Sequence, residues 1–115
     1  MRSALRIAIF GAGLCASAIA AAGAPHEVTI RMQKESFVPA SLTVAAGTRV
    51  TWTNDDSVPH SVTAGDNRID SGPILPGKSF AWIADGAGSI DYHCIFHPSM
   101  TAVLKVGAAG DTATK

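Results

Sequence analysis

The sequence predicts an all-β fold, a Greek-key β-sandwich of seven to eight short strands, and three observations carry that expectation. From His26 onward no segment shows the apolar period of an amphipathic helix, whereas stretches rich in Val, Thr and Ile alternate apolar and polar residues with period two. Gly and Pro punctuate the chain at short intervals, so its strands must be brief. The chain has 115 residues, 47% hydrophobic and 16% charged, which fits one compact domain and excludes a disordered or fibrous class.

In chain order, Val28, Ile30 and Met32 alternate with Thr29, Arg31 and Gln33 in a first strand, and Ser36-Phe37-Val38-Pro39 breaks it, because proline cannot donate to a ladder. Leu42-Thr43-Val44 is a second strand, turned by Ala46-Gly47. The clearest strand is Arg49 to Asn54, with Val50 and Trp52 on one face and Arg49, Thr51 and Thr53 on the other; Asp55-Asp56-Ser57 ends it. Val58-Pro59-His60-Ser61-Val62-Thr63 leads into a polar loop from Ala64 to Gly72, with Gly65-Asp66-Asn67 as its turn signal. Pro73 to Gly77 turns the chain again. Lys78 to Ile83 is a strand with Phe80 and Trp82 in register, Asp85 to Gly88 a turn, and Ile90, Tyr92 and Cys94 alternate along the next strand. Thr101 to Val106 closes the domain. Close spacing of about seven such strands favours a Greek key over a meander.

The ends are different in kind. Residues 1–24 read as a secretory signal peptide, with Arg2 and Arg6 as the positive region, Ile7 to Ala20 as the apolar stretch, and small residues after it. Cleavage fits Ala22-Gly23-Ala24, although Pro25 follows, or Ala20-Ala21-Ala22. An uncleaved anchor is the alternative, weakened by the Ala and Gly content of the stretch. The domain then spans 25–107, and 108–115 is a frayed polar tail. Removing Arg2 and Arg6 leaves seven basic residues against nine acidic ones, a net charge of −2. With no run of like charge, neither nucleic acid nor a membrane surface is indicated as a partner, and no membrane span remains after cleavage. Cys15 leaves with the signal, so Cys94 is alone in an oxidising compartment, where a lone thiol pairs between chains or is tied to a metal.

Its neighbours favour the metal. Cys94, His97 and Met100 offer a thiolate, an imidazole and a thioether within seven residues, and His60, just past the Arg49-to-Asn54 strand, supplies a second imidazole. Soft sulfur with imidazole selects copper, and two His with one Cys and a weak axial Met is the ligand set of a mononuclear electron-transfer copper centre. Four protein ligands leave no position for a substrate, which favours a carrier over an enzyme. His93 adjoins Cys94, and strand alternation sends it to the opposite face. Asp55-Asp56 reads as turn chemistry, His26 as a solvated N-terminal residue, and Trp52, Phe80, Trp82 and Tyr92 as core or sheet-face aromatics.

At Asn54-Asp55-Asp56-Ser57-Val58-Pro59-His60-Ser61-Val62 and Tyr92-His93-Cys94-Ile95-Phe96-His97-Pro98-Ser99-Met100 the chain resembles the cupredoxins, and among them the amicyanin-like branch of the plastocyanin/azurin family. The spacing Cys-x2-His-x2-Met is that branch's short loop; Phe37-Val38-Pro39 and Leu75 to Phe80 add to the likeness. The resemblance implies a periplasmic, type 1 (blue) copper protein that carries single electrons between larger redox proteins through transient contacts, as a monomer, with one copper on His60, Cys94, His97 and Met100. A copper-binding or delivery protein using the same ligands is the alternative. The imidazole edge of His97, among Pro59, Phe96 and Pro98, is the expected exit for electrons. Three residues depart from the family. Ser61 stands where Asn usually ties the two ligand loops together, and has less reach. Phe96 replaces Pro and keeps an N–H, which is expected to join that of Ser61 on the Cys94 sulfur. Ala102 replaces a residue that is commonly Gly.

Overall fold

The computed structural model describes residues 26–108. The expected signal segment, 1–24, and all but Ala108 of the expected tail, 108–115, lie outside the described residues. Within them the chain forms eight strands: β1 (Glu27–Gln33), β2 (Ser36–Val38), β3 (Ser41–Ala45), β4 (Arg49–Asn54), β5 (Thr63–Ala64), β6 (Ser79–Ile83), β7 (Gly88–Cys94) and β8 (His97–Gly107). No described segment is a helix long and apolar enough to cross a membrane.

Alternation decides which faces meet. Ile30 and Met32 of β1, Val50 and Trp52 of β4, Ile90 and Tyr92 of β7, and Ala102, Leu104 and Val106 of β8 are buried, while their neighbours along each strand are more exposed. Each sheet therefore has one apolar face, and burying both requires two sheets packed face to face. One sheet has the order β2-β1-β4-β6 and the other β3-β8-β7-β5. The pairs β1–β4 and β3–β8 are parallel and the rest antiparallel. The chain passes from sheet to sheet as it advances, so sequential strands are seldom neighbours, as the Greek-key expectation requires.

Two local features, β2 and the start of β8, differ from the sequence expectation, and with the irregular run before β5 they shape one end of the sandwich. The stretch expected only to break the first strand forms β2, pairing Arg31 with Val38 through Gln33 with Ser36; the Val38–Pro39 peptide is cis. The hairpin turn between β1 and β2 consists of Lys34 and Glu35, both at φ +56°, a left-handed conformation that side-chain-bearing residues avoid unless something holds them. Between Val58 and Val62 the chain is mostly irregular, tied by a bridge in which His60 and Ile74 exchange both backbone hydrogen bonds and by the Ser71 N–H donating to the Val62 carbonyl at 3.0 Å. Finally, β8 begins at His97 rather than Thr101, so the loop after Cys94 is only Ile95-Phe96.

The aromatic residues fill the space between the sheets, as expected. Trp52 meets Tyr92 edge-on with ring centroids 5.6 Å apart, and Phe37 meets Tyr92 at 4.7 Å. The buried indole Nε1–H of Trp52 donates to the Tyr92 hydroxyl at 3.2 Å. Burial disfavours the phenolate and pushes the Tyr92 phenol up to about 12, against a smaller opposing effect of the Trp52 hydrogen bond.

Tyr92 is the only tyrosine in the chain, so its phenolate absorbance reports one group. The folded protein is expected to titrate near 12 and the urea-unfolded chain near the ordinary value of about 10. Because the folded pKa is the higher, the corresponding stability is fully present below about 10 and is lost as pH rises toward 12, by about 2 to 3 kcal/mol in total. Tyr92→Phe removes that alkaline loss and, at neutral pH, costs about 1 to 3 kcal/mol by orphaning the Trp52 N–H; urea unfolding across pH measures both.

Candidate metal centre

Three chain segments converge at one end of the sandwich, and each is placed by a local constraint. The first is the irregular run from Asn54 to His60. Asn54 ends β4 fully buried, and its side chain ties this run both to itself and to Ile74. Its Nδ2 donates to the carbonyls of Val58 at 2.8 Å and Ile74 at 2.9 Å, and its Oδ1 accepts from the Asp56 N–H at 2.8 Å. A buried amide left unpaired costs enough that this fold of the run is strongly preferred. With Ile74 also bridged to the His60 backbone, His60 is held at 0% exposure.

The second and third segments are the end of β7 and the start of β8. Cys94 and His97 are cross-strand partners over the two-residue turn Ile95-Phe96. Between this pair and the next, His93 with Thr101, the residues Pro98, Ser99 and Met100 bulge out of register on β8. The bulge lets His97 close on Cys94 while Met100 keeps the core-facing alternation of Ala102, Leu104 and Val106.

The donor atoms of His60, Cys94 and His97 all lie within 4.8 Å of one another. The Cys94 sulfur is 3.7 Å from His60 Nδ1 and 3.6 Å from His97 Nδ1, and the two imidazole rings meet edge to face at 5.0 Å. Metal–nitrogen bonds of about 2.0 Å and metal–sulfur bonds of about 2.3 Å, opening at tetrahedral to trigonal angles, set such atoms about 3.5 to 3.7 Å apart. The spacing therefore fits one metal ion between the three donors. Met100 is buried at 3% exposure, on the core-facing row that also carries Cys94 on β7. Cys94 is a free, buried thiol.

The surroundings fix how these atoms point. His60 Nε2 lies 2.7 Å from Asp56 Oδ2. An ionised carboxylate only accepts, so Nε2 carries the proton and Nδ1 presents its lone pair to the cluster. Asp56 in turn accepts the N–H groups of Lys34 at 2.7 Å and Glu35 at 2.9 Å, which stabilises the left-handed β1–β2 turn. Partial burial pushes the Asp56 pKa up, but the Glu35 N–H, the His60 imidazole and the Lys34 N–H together outweigh it, leaving the pKa below the usual aspartate value. On the other side of the cluster, the Ser61 N–H donates to the Cys94 sulfur at 3.3 Å.

Two expectations about this shell are corrected. Ser61 does tie the ligand loops together despite its short side chain: its buried Oγ accepts the Ile95 N–H at 2.9 Å and lies 2.9 Å from Thr63 Oγ1. The loops approach closely enough for a hydroxyl to span them. The Phe96 N–H makes no hydrogen bond to the Cys94 sulfur among the described residues, where Ser61 is the backbone donor, and Phe96 is 45% exposed. Asp56, expected from the sequence to serve turn chemistry alone, is the residue that orients His60; the one signal for that role is a carboxylate four residues before a ligand histidine. Asn54 gives no sequence signal beyond its place at the end of a strand. His93 faces away from the cluster, paired with Thr63 and Thr101.

A family model described as a cupredoxin-like domain matches residues 5–106. Amicyanin-alpha of Methylorubrum extorquens is 31% identical over 116 residues, covering 90% of this chain and 98% of that protein. Plastocyanin of Scenedesmus fuscus is 30% identical over 86 residues, covering 62% of this chain and 88% of that protein. Among solved structures, a purple cupredoxin from Nitrosopumilus maritimus aligns with a TM-score of 0.64 at 30% identity, over 69% of this chain and 98% of that one. A reduced amicyanin variant aligns at 0.66 with 25% identity, over 73% of this chain and 85% of that one.

Asp56→Asn is expected to weaken metal binding about tenfold to a hundredfold, since a carboxylate that orients a ligand imidazole has effects of that size; competition against a chelator measures it. Ser61→Ala should keep the backbone N–H on the sulfur but orphan the Ile95 N–H, costing the metal-free protein about 1 kcal/mol in urea unfolding and speeding amide exchange at Ile95.

Proposed function

The chain belongs to the cupredoxin-like domain family, and we propose that it is an exported electron carrier holding one copper ion through His60, Cys94, His97 and Met100. The observation that carries this reading is the Cys94 sulfur flanked by two imidazole Nδ1 atoms at 3.6 and 3.7 Å, at the end of a closed β-sandwich. Thiolate with two imidazoles selects copper, and a buried thioether completes the set. When bound, copper supplies a one-electron couple between Cu(I) and Cu(II).

The chain's own residues prepare that couple. Asn54 and Asp56 fix His60 through backbone and carboxylate contacts, and the β7–β8 register fixes Cys94 against His97. Ligands held in this way move little between oxidation states, which keeps reorganisation small and transfer fast. The Ser61 N–H draws charge from the Cys94 sulfur and so favours the reduced state. With four ligands from the chain no position is left for a substrate, and the protein transfers electrons rather than transforming a bound molecule.

The two histidines divide the work. His60 is sealed at 0% exposure, whereas the His97 side chain is 25% exposed. Electrons therefore enter and leave through the His97 edge. Beside it Ile95 and Phe96 are apolar and largely exposed, at 51% and 45%, a surface suited to brief encounters with larger redox proteins, one donor and one acceptor. The chain acts as a monomer. Residues 1–24 direct it to the periplasm, where metal binding keeps the remaining thiol, Cys94, from oxidative pairing.

Adding Cu(II) to the metal-free mature protein is expected to give an intense thiolate-to-copper charge-transfer colour at one copper per chain, bleached by ascorbate and restored by an oxidant. Cys94→Ser should abolish the band. A colourless copper complex in the unmutated protein would overturn the carrier reading, and a coloured protein with slow electron self-exchange would point to copper delivery instead.

A further inference from the structure

We propose that Glu35 makes the His97 edge selective for redox partners that present a cationic group, and that docking of such a group raises the reduction potential of the centre. The proposal rests on the electron-carrier reading above. Glu35 Oε2 lies 3.7 Å from His97 Nε2, with the Glu35 side chain 60% exposed. It stands beside an exposed apolar patch, Ile95 and Phe96 immediately before His97 in the chain, and lines a cleft with Lys34, Asp56, Ser57 and Val58.

The backbone that carries this carboxylate is held by contacts to the metal-centre end of the fold. Glu35 belongs to the left-handed β1–β2 turn, and its own N–H donates to Asp56, the residue that holds His60. The turn is thus pinned to the metal centre at one histidine while it extends a carboxylate to the other. Lys34 lies beside Glu35 in the turn and lines the same cleft but makes no ion pair with it. Among the described residues Arg31 pairs with Asp55 and Arg68 with Asp66, and no lysine or arginine forms an ion pair with Glu35.

Coulomb's law gives this charge two effects. A negative charge at the atom through which electrons leave attracts cations and repels anions there. The same charge stabilises the oxidised centre, which carries one more positive charge than the reduced one, and so holds the reduction potential down. A lysine or arginine that pairs with Glu35 cancels both effects. By linkage, a cation that raises the potential on binding must itself bind more tightly to the reduced protein.

The test compares wild type with Glu35→Gln, Glu35→Asp and, as a control for net charge, Glu27→Gln at the opposite end of β1. Reduced, copper-loaded protein is oxidised by tris(phenanthroline)cobalt(III), a cation, or by hexacyanoferrate(III), an anion. Each takes one electron as Cu(I) becomes Cu(II), giving cobalt(II) or iron(II). At low salt the ratio of cationic to anionic rate constants is expected to fall about threefold to tenfold in Glu35→Gln, and to change little in Glu35→Asp and Glu27→Gln. The potential should be higher in Glu35→Gln than in wild type, and redox-inert hexaamminechromium(III) should raise it in wild type and in Glu27→Gln but not in Glu35→Gln. In the metal-free protein the same paramagnetic ion should broaden the amide signals of Glu35 and of Ile95 to His97, and Glu35→Gln should abolish the broadening. An unchanged rate ratio in Glu35→Gln, an equal fall in Glu27→Gln, or broadening that survives Glu35→Gln overturns the proposal. A protein that fails to colour with copper overturns the carrier reading instead, and the metal-free broadening then decides the charge assignment by itself.

Discussion

The carboxylate of Asp56 is the point on which this end of the molecule depends. It accepts the imidazole Nε2–H of His60 at 2.7 Å and the two N–H groups of the Lys34–Glu35 turn at 2.7 and 2.9 Å. Its own N–H is held by Asn54 Oδ1. One side chain thus joins the β1–β2 hairpin, the end of β4 and a ligand histidine. The ionised carboxylate accepts from backbone donors and an imidazole more strongly than a protonated one would, and the depressed pKa of Asp56 is the sign that these donors outweigh the cost of its burial.

The sandwich gives that carboxylate something rigid to act on. A ligand carried by an irregular run would wander, because few packed contacts restrain it. Here the run from Asn54 to His60 is short, begins at a fully buried residue, and is closed by the two backbone hydrogen bonds between His60 and Ile74. Across from it, Cys94 and His97 need no long loop at all. The β7–β8 ladder sets them as cross-strand partners, and the bulge at Pro98-Ser99-Met100 absorbs the mismatch, so the strand architecture itself supplies two of the three clustered donors.

Polarity of the site follows from where the two histidines lie. His60 is enclosed by the Asn54 run and by Ile74, and His97 opens β8 at the rim. The structure is thereby asymmetric in function: one imidazole is braced from inside the fold, and the other faces outward beside Ile95, Phe96 and the Glu35 carboxylate. Ser61 completes the inner brace by a route the family likeness did not suggest, joining the loops through a hydroxyl because they run close together.

Residue type and spacing were enough to indicate the all-β class, the buried rows of β1, β4, β7 and β8, and the grouping of Cys94 and His97 with His60, because period-two alternation and side-chain chemistry are local properties of a chain. They also placed His93 on the outer face, since alternation settles that without any partner. They could not reveal that Lys34 and Glu35 adopt left-handed conformations, that Asp56 backs His60, that Ser61 reaches Ile95, or that Phe96 leaves the sulfur to Ser61. Most of those features depend on a partner 20 or more residues away, or on the length of a turn that strand pairing fixes. Asp56 becomes recognisable as more than a turn residue once the β1–β2 hairpin is set beside it. Hydrogen bonds are short-ranged and directional, so which distant groups make them is a property of the packed sandwich and not of any one segment within it.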